Sequence, residues 1–342
     1  MGSRREAMTE PFVSVVTPVY NDEPYLEECI RSVLAQSHQN FEYIICNNHS
    51  KDRSGEIAAD YAAKDSRIRV VSPAEFSLQA KNFNFALSQI DGRAKYCKML
   101  LSDDWMYPQC MQQMIEVAES NPRIVLVSAY RLIGDRPDCF GVPVERSSFP
   151  GKEACRWQLL GTTYPFGSQS TVMYGAEAVR KRTPTFFPEN RFFMDVDIAF
   201  RLLADGDFGF VHQVLTYSRY QPDALTDVVS HFNSWPLLHY LMVEQYGRSA
   251  LSPEEFKKRY NEVTAAMYRG LGEQWLKDMV RRKKKKGFWE FQRQHLGDIG
   301  VEIHPALLAK GVAAAGLNLI GSPGTLAKKV QNEATKGAAK PL

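Results

Sequence analysis

The first third of the sequence contains little glycine. Only Gly2, Gly55 and Gly92 precede residue 130 in this chain of 342 residues. A G-x-G-x-x-G turn and a G-x-x-x-x-G-K-[ST] loop each need several glycines close together, because the backbone must approach the phosphates of a nucleotide. The sequence therefore argues against a dinucleotide-dependent dehydrogenase and against a P-loop enzyme.

Cysteine and long apolar runs are also scarce. The six cysteines form no C-x-x-C pair and are too sparse for a disulfide scaffold, so we expect reduced, mostly buried thiols. Residues 1–11 contain no apolar stretch, and the longest apolar tract, residues 312–320, is interrupted by Asn318 and is too short to cross a membrane. We therefore expect a cytoplasmic protein.

The net charge is small but unevenly distributed. The whole chain carries +3, yet residues 1–276 hold 29 Lys and Arg against 34 Asp and Glu, while residues 277–342 hold 13 against 5. Shares of 11% aromatic and 24% charged residues are typical of a globular protein, and they exclude collagen-like, low-complexity and disordered chains. The chain thus combines an acidic body with a basic tail.

Short apolar runs alternate with helical spacing through residue 130. This pattern predicts an α/β fold, a parallel nucleotide-binding sheet flanked by helices, which binds ligands beyond the carboxyl ends of its strands. Residues 131–168 are rich in proline, glycine and aromatics and predict either a functional loop or a small antiparallel excursion. The predicted strands are 12–18, 41–46, 68–71, 96–101, 124–128, 170–174, 208–211 and 214–220, and the predicted helical segments are 25–34, 57–62 and 196–204.

We place the boundary between a sheet domain, residues 1–230, and a helical extension, residues 231–342. From Pro253 the extension carries an apolar stripe that includes Trp275 and Met279, and a run of six basic residues, 281–286, follows it. A basic and aromatic segment of this kind, residues 281–320, fits an anionic membrane surface. A solvated helix end, or packing on the sheet domain or on a second copy, is left open, and no nucleic-acid recognition module is present in the pattern.

Two adjacent carboxylates, Asp103 and Asp104, directly follow the predicted strand 96–101. At a strand end such a pair can bind a hard cation through oxygen and leave coordination sites for a diphosphate. The alternative is that one of them caps the helix that follows.

Three motifs occur in the order of a known family. They are V-S-V-V-T-P-V-Y-N at residues 13–21, C-N-N-H-S-K-D at 46–52 and L-S-D-D-W at 101–105. Together they resemble family 2 glycosyltransferases of the GT-A fold. The resemblance extends to G-S-Q-S-T-V-M-Y at 167–174, which is similar to the family's acceptor-side strand, and to M-D-V-D-I-A-F-R-L at 194–202, which is similar to its catalytic-base segment.

The resemblance implies an inverting, metal-dependent transfer of a sugar from a nucleotide-diphosphate donor to an acceptor hydroxyl. By position Asp104 matches the ligand of Mn²⁺ or Mg²⁺, which stabilises the departing diphosphate, and Asp103 matches a contact to the ribose or sugar. Asp195 matches the base that accepts the proton of the acceptor hydroxyl. It could instead only favour the dipole of the helix that begins there, where Asp197 and Arg201 are expected to pair at i,i+4.

Further donor contacts follow from the same resemblance. Thr17, Pro18 and Tyr20 match the base and ribose contact at the end of the first strand, although a strand terminator with a packed tyrosine explains Pro18 equally well. Lys81 matches a basic residue that the family often places near the nucleotide, and a solvated helix face is the alternative.

This sequence departs from the family pattern at two places. Asn47 and Asn48 stand where the family commonly has two aspartates, the second of which accepts a hydrogen bond from uracil. Because the amide of Asn48 both accepts and donates, uracil, thymine and cytosine all become admissible. Gln221 stands where many relatives have the histidine that completes the metal site, so we expect looser metal binding or a site ordered only with diphosphate.

The sequence therefore predicts a cytoplasmic glycosyltransferase, peripheral at the membrane if the tail binds lipid, that acts in glycan, polysaccharide or lipid-linked saccharide synthesis. The alternatives are a catalytically lapsed domain that retains nucleotide or membrane binding, and a sugar nucleotidylyltransferase. The last of these usually carries a glycine-rich motif near the first strand, which is absent here. A homo-oligomer, the sugar and the linkage are left open.

Overall fold

The apolar runs of the first half form one sheet. The computed structural model describes residues 10–191, 193–220 and 232–320. Across the sheet the strands follow the order β3-β2-β1-β4-β9-β6-β10-β5, with β7 paired to β6 and β8 paired to β10. The strands are β1 (Val13–Val19), β2 (Phe41–Asn47), β3 (Ile68–Val71), β4 (Tyr96–Met99), β5 (Trp105–Met106), β6 (Ile124–Ile133), β7 (Arg136–Asp138), β8 (Ser148–Pro150), β9 (Met173–Gly175) and β10 (Asp207–Ser218).

Seven helices of the described residues accompany the sheet, and the predicted α/β class is confirmed. In the first of them, Leu26, Cys29, Ile30 and Val33 are buried at helical spacing, as the sequence predicts. All six cysteines are buried and free, which agrees with the expected thiols. The helices are α1 (Glu23–Leu34), α2 (Ser54–Ala62), α3 (Gln79–Ser88), α4 (Cys110–Ser120), α5 (Gly151–Leu160), α6 (Ala176–Arg180) and α7 (Met194–Leu203).

The sheet is mixed, whereas the sequence predicts a parallel one. β1 pairs in parallel with β2 and with β4, but β9 runs antiparallel to both β4 and β6. Two reversals restore the direction, so β6 and its parallel neighbour β10 point the same way as β1. The carboxyl ends of β1, β2, β4, β6 and β10 therefore share one edge of the sheet with the start of β9.

Several strand predictions are wrong in extent. Residues 208–211 and 214–220 belong to the single strand β10, whose register shifts near Val211 and Val214 mark bulges that hide its alternation. The strand predicted at 170–174 begins only at Met173, because Thr171 donates its backbone N–H to Ser168 O (2.9 Å) in a turn. Within residues 131–168, the antiparallel strands β7 and β8 confirm the small antiparallel excursion predicted there.

The described residues after position 231 are helical. The hydroxyl of Ser252 accepts from the N–H of Glu255 (3.2 Å), and the Glu255 carboxylate accepts from the Ser252 N–H (3.0 Å), so a capping box starts the helix predicted at Pro253. None of the described helices is both long enough and apolar enough to span a membrane. The helices are α8 (Ser234–Ala250), α9 (Pro253–Arg281), α10 (Phe288–Gly297) and α11 (Pro305–Ile320).

The apolar stripe of α9 changes character along the helix. Val263, Met267 and Leu271 are buried, as predicted. Trp275 is 38% exposed and Met279 is 58% exposed, so the stripe is not packed near the end of the helix. The end of α9 therefore presents large apolar side chains beside the basic run.

The chain divides into two compact units, residues 1–220 and 221–342. The boundary predicted at residue 230 falls among residues 221–231, which lie outside the described residues, so it stays a prediction.

Candidate active site

Loops that follow different strands are joined at the carboxyl edge of the sheet. The hydroxyl of Ser102, after β4, donates to the carboxylate of Asp22, after β1. The carboxylate of Asp104 accepts from the backbone N–H of Arg219, at the end of β10 (3.2 Å). These two hydrogen bonds connect the loop after β4, which carries Asp104, to the loop after β1 and to the end of β10. That loop is therefore held from both sides.

The loops after β1 and β2 are also tied together. Asn21 accepts from the backbone N–H of Lys51 (2.7 Å) through its side-chain oxygen. The carboxylate of Asp52 accepts from the N–H groups of Glu23 (2.9 Å) and Ser54 (3.0 Å), at the starts of α1 and α2. The last residue of the second motif therefore fixes the loop shape through two helix N-termini.

Asp104 is a buried carboxylate surrounded by donors. It is 4% exposed and accepts from the hydroxyls of Ser218 (3.1 Å) and Ser170 in addition to Arg219. Burial raises the pKa of Asp104, and these hydrogen bonds oppose the rise because they favour the anion. Ser170 and Ser218 were not singled out from the sequence, although each lies within or beside a segment that carries the family resemblance.

A buried lysine fixes the position of Ser170. The ammonium group of Lys98 is fully buried and donates to the carbonyl oxygens of Met99 (3.1 Å), Val172 (3.2 Å) and Ser170. Burial lowers the pKa of Lys98. Leu101 donates its N–H to the Ser170 hydroxyl (3.0 Å), so that hydroxyl is oriented toward Asp104.

Asp195 begins α7 and is half-buried. Its carboxylate accepts from the backbone N–H of Val196 (2.9 Å). Burial raises the pKa of Asp195, while the backbone hydrogen bonds and Arg131 act in the opposite direction. Tyr174, whose pKa is raised by burial and also by the charge of Asp195, lies close to it. A carboxylate in this environment is more basic than an ordinary aspartate.

Aromatic side chains line the neighbourhood of Asp195. The Tyr174 ring contacts Phe186 edge to face (5.1 Å between centroids), and Phe186 contacts Phe187 in the same way (4.9 Å). The amide of Asn84 anchors the segment, because it donates to Phe187 O (2.8 Å) and accepts from Phe187 N (2.7 Å). Phe192 lies outside the described residues.

The second acid of this helix has a separate role. Asp197 is fully buried and forms an ion pair with Arg201 (2.6 Å) one turn later. The predicted i,i+4 pair is confirmed.

Arg131, near the end of β6, connects the two candidate carboxylates electrostatically. Its guanidinium pairs with Asp138 (2.7 Å) and its side chain is 14% exposed. It acts to lower the pKa of both Asp104 and Asp195. The strand predicted from the sequence ends at residue 128, so Arg131 was not predicted to lie beside both carboxylates.

The end of β1 divides between buried and exposed side chains. Thr17 is fully buried and accepts from the Tyr43 hydroxyl (3.0 Å), and Pro18 is buried as well. Tyr20 is 40% exposed, and its ring lies 4.8 Å from that of Phe76. Of the three residues predicted here for donor binding, only Tyr20 presents its side chain at the surface.

The remaining predicted donor contacts lie on the same side of the sheet. Both atoms of the Asn48 amide are engaged by one backbone unit, since it accepts from Ser77 N (3.0 Å) and donates to Ser77 O (2.8 Å). Lys81 is exposed on α3. Asp104 and Asp195 thus both lie within the electrostatic influence of Arg131, while Asn48 is held by the loop before α3.

The comparisons with known proteins identify the family and support the fold. Residues 14–182 match the model of Glycosyl transferase family 2. The chain is 30% identical over 209 residues to glycosyltransferase EpsE of Bacillus subtilis (strain 168), an alignment that covers 60% of this chain and 72% of that protein. The chain belongs to glycosyltransferase family 2.

Other relatives of this family 2 glycosyltransferase match over different lengths. It is 40% identical over 128 residues to the uncharacterized glycosyltransferase EpsJ of Bacillus subtilis (strain 168), but the match covers only 37% of this chain and 36% of that protein. The mannosyltransferase PcManGT from Pyrobaculum calidifontis, solved in complex with GDP-Man and Mn²⁺, superposes with a TM-score of 0.52 at 15% identity, covering 96% of this chain and 87% of that one. This likeness supports the fold.

The donor set of this glycosyltransferase suits a hard cation that shares its coordination with a ligand. Among the described residues, no group of three or more His, Cys, Asp or Glu side chains is placed to hold a metal. Asp103 and Asp104 supply oxygen, the donor that Mn²⁺ and Mg²⁺ accept, and a diphosphate would supply the rest. Gln221 lies outside the described residues, and Arg219 beside it is fixed by Glu28 and by the Tyr25 ring (4.9 Å).

Proposed function

We propose that this family 2 glycosyltransferase transfers a sugar from a nucleotide-diphosphate donor to an acceptor hydroxyl by direct displacement with inversion. One observation carries the proposal: Asp195, whose pKa is raised by burial, lies within the influence of the same guanidinium as the buried Asp104. A basic carboxylate suits proton removal from the attacking hydroxyl. Asp104, with Asp103, suits the opposite end of the reaction, where negative charge develops on the leaving diphosphate.

The leaving-group end is where a divalent cation is required. Mn²⁺ or Mg²⁺ bound by Asp104, Asp103 and the diphosphate would neutralise that charge. With so few protein ligands, we expect weak binding of Mn²⁺ alone and much tighter binding once UDP or another nucleoside diphosphate is present. Isothermal titration tests this, and tight Mn²⁺ binding without any nucleotide would contradict it.

The family position of Asn48 implies a pyrimidine nucleobase, and the contact that its amide can make is restricted. Because Ser77 occupies one donor and one acceptor direction of the amide, only the second lone pair and the second N–H of Asn48 are left for a base. Tyr20 offers a ring at the same edge. A thermal-shift screen of UDP, dTDP, CDP and GDP, each with and without Mn²⁺, identifies the donor class, and stabilisation by GDP alone would overturn the pyrimidine assignment.

The acceptor is a glycan, polysaccharide or lipid-linked saccharide. The support is the family membership together with the basic C-terminal unit, which would bring the enzyme to an anionic membrane surface. The family membership does not favour a sugar nucleotidylyltransferase.

A catalytically lapsed binding domain is the competing function, motivated by Asn47, Asn48 and Gln221. An intact base and metal site would hydrolyse the donor slowly when no acceptor is present, because water can take the place of the acceptor hydroxyl. We expect Mn²⁺-dependent release of nucleoside diphosphate from the donor that the thermal-shift screen identifies. Tight donor binding with no release, at any metal concentration, would establish the lapsed domain instead.

A further inference from the structure

The C-terminal unit contains a cavity at the end of α9. Its volume is about 390 Å³, and it lies where the long helix stops and the chain turns into α10. Its lining combines aromatic, aliphatic and basic side chains: Trp275, Asp278, Met279, Arg282, Lys283, Lys284, Trp289, Arg293 and Leu308. All the residues that line this cavity belong to the C-terminal unit, and neither Asp104 nor Asp195 is among them.

The charge of the cavity is strongly positive. Arg282, Lys283, Lys284 and Arg293 are all exposed, and none of these four forms an ion pair with any residue in the described part of the chain. One carboxylate, Asp278, is present among them. Four cations against one acid give a site that attracts a multiply charged anion.

The single acid is already satisfied by neutral donors. Asp278 accepts from the indole N–H of Trp289 (2.8 Å), from the amide of Gln274 (2.6 Å) and from the backbone N–H of Lys285 (3.1 Å). These hydrogen bonds fix the Asp278 carboxylate in the turn, so it competes little for the surrounding cations.

The turn that forms the cavity has a defined shape. Arg282 adopts a left-handed conformation (φ 50°) that ends α9, and Gly287 (φ 73°) starts the next helix. The N–H of Lys283 donates to the carbonyl oxygen of Asp278 (3.1 Å). The basic residues are therefore displayed on a hydrogen-bonded turn that folds back on the helix end.

Apolar surface lies directly beside these cations. Trp275 and Met279 are exposed on the last turns of α9, and Leu308 approaches from α11. The Trp289 ring is held by its bond to Asp278 and by an edge contact with Phe288 (5.3 Å between centroids). A bare anion would leave this apolar surface exposed to water, whereas an anion joined to an apolar chain would cover it.

We propose that this cavity binds a phosphate ester that is joined to an apolar chain. The phosphate lies among Arg282, Lys283, Lys284 and Arg293, and the start of the chain covers Trp275 and Met279. This chemistry is shared by the headgroup of an anionic phospholipid and by a lipid-linked phosphosugar acceptor. This proposal adds detail to the acceptor class and rests on the proposed function only for the identity of the acceptor. Binding at the cavity itself does not require sugar transfer.

The test is vesicle flotation of the full-length protein. The probes are phosphatidylcholine vesicles with and without phosphatidylglycerol, and the variant is R282Q/K283Q/K284Q. Because each cation near an anionic surface contributes roughly a five-fold gain in binding, we expect the triple variant to bind on the order of 100-fold more weakly. K257Q/K258Q/R269Q, which removes the same charge from exposed positions elsewhere on α9, is the matched control and should lose far less.

Two further arms distinguish a phosphate joined to an apolar chain from phosphate alone. Trp275→Ser with Met279→Ser keeps every cation and should still weaken vesicle binding several-fold, and a soluble short-chain phosphatidylglycerol should compete with vesicles whereas inorganic phosphate should not. Equal losses in the two charge triples, no effect of the apolar change, or full competition by inorganic phosphate would each overturn the proposal. Stabilisation of the R282Q/K283Q/K284Q variant by nucleotide and Mn²⁺ is measured in parallel, so a failure of the catalytic proposal is recognised separately.

Discussion

Arg131 is the residue whose charge reaches both carboxylates of the candidate site. It is largely buried and is held by Asp138, so its guanidinium is a fixed positive charge. Burial raises the pKa of Asp104 and of Asp195, and this charge opposes the rise together with the hydrogen bonds that each carboxylate accepts. It is a positioning residue, since its effect passes through the two acids.

The pH dependence of the reaction tests this role. Burial raises the pKa of Asp195, and Arg131 opposes the rise, so removing the guanidinium moves that pKa further upward. Tyr174 faces the same carboxylate and stays neutral. We therefore expect Arg131→Gln to shift the acid limb of the kcat/KM profile to higher pH, because the base is protonated over a wider range.

The matched control for that profile is Arg136→Gln, an exposed arginine on β7. It should leave the acid limb where it is. An unchanged limb in the Arg131 variant, measured on protein shown to be folded, would contradict the assigned role.

Close helix packing defines the C-terminal unit at the scale of elements. A Cβ atom at Gly272 on α9 would lie 2.3 Å from the backbone carbon of Gly311 on α11, so only glycine permits this approach. Gly272→Ala should push the helices apart and cost roughly 1–3 kcal/mol of stability, the usual cost of overpacking.

Gly316→Ala in α11 is the comparison, because a Cβ there meets nothing within 4 Å. It should raise stability by up to about 1 kcal/mol through helix propensity. Denaturant unfolding of the two variants measures both effects. Equal stabilities would show that α9 and α11 do not pack as closely as described.

Some elements could be predicted from the sequence and others could not, for physical reasons. β1 and β2 are continuous apolar strands buried on both faces, so their runs identify them. α3 escapes prediction because its buried face includes the asparagines Asn82 and Asn84. The bulges of β10 interrupt its alternation.

The candidate site shows the same division. Asp104 and Asp195 are visible in the sequence because each occupies a motif position. Ser170, Ser218 and Arg131 reach Asp104 from three other strands or turns, and only the sheet order brings them together. Sequence spacing contains no information about such neighbours, so these three contacts to Asp104 could not be predicted.

The distribution of charge operates at the scale of the whole molecule. The acidic body contains the carboxylates of the site, and the excess of basic residues after position 276 includes the four cations of the cavity. Raising the ionic strength from 0.1 M to 1 M shortens the screening length from about 10 Å to about 3 Å. Binding to anionic vesicles should fall steeply over this range, and the fall should be much shallower for R282Q/K283Q/K284Q. Salt-independent binding of the unaltered protein would contradict an electrostatic role for the tail.

Asp195 is the proposed base of the transfer, and the Asp195→Asn variant removes that base. The amide can still accept from Val196 N, and it removes a buried charge, so thermal stability should stay the same or rise. Activity should fall by about 10²–10⁴-fold, the usual contribution of a general base. Asp197→Asn, in the same first turn, should instead lower stability through loss of the Arg201 pair and keep most of the turnover of the folded protein.

The deciding measurement is kcat for donor turnover by Asp195→Asn beside nucleotide affinity for the same protein. We expect a large loss of kcat with unchanged binding of nucleotide and Mn²⁺. Full turnover by Asp195→Asn would contradict it and would leave Asp195 with only the helix-dipole role.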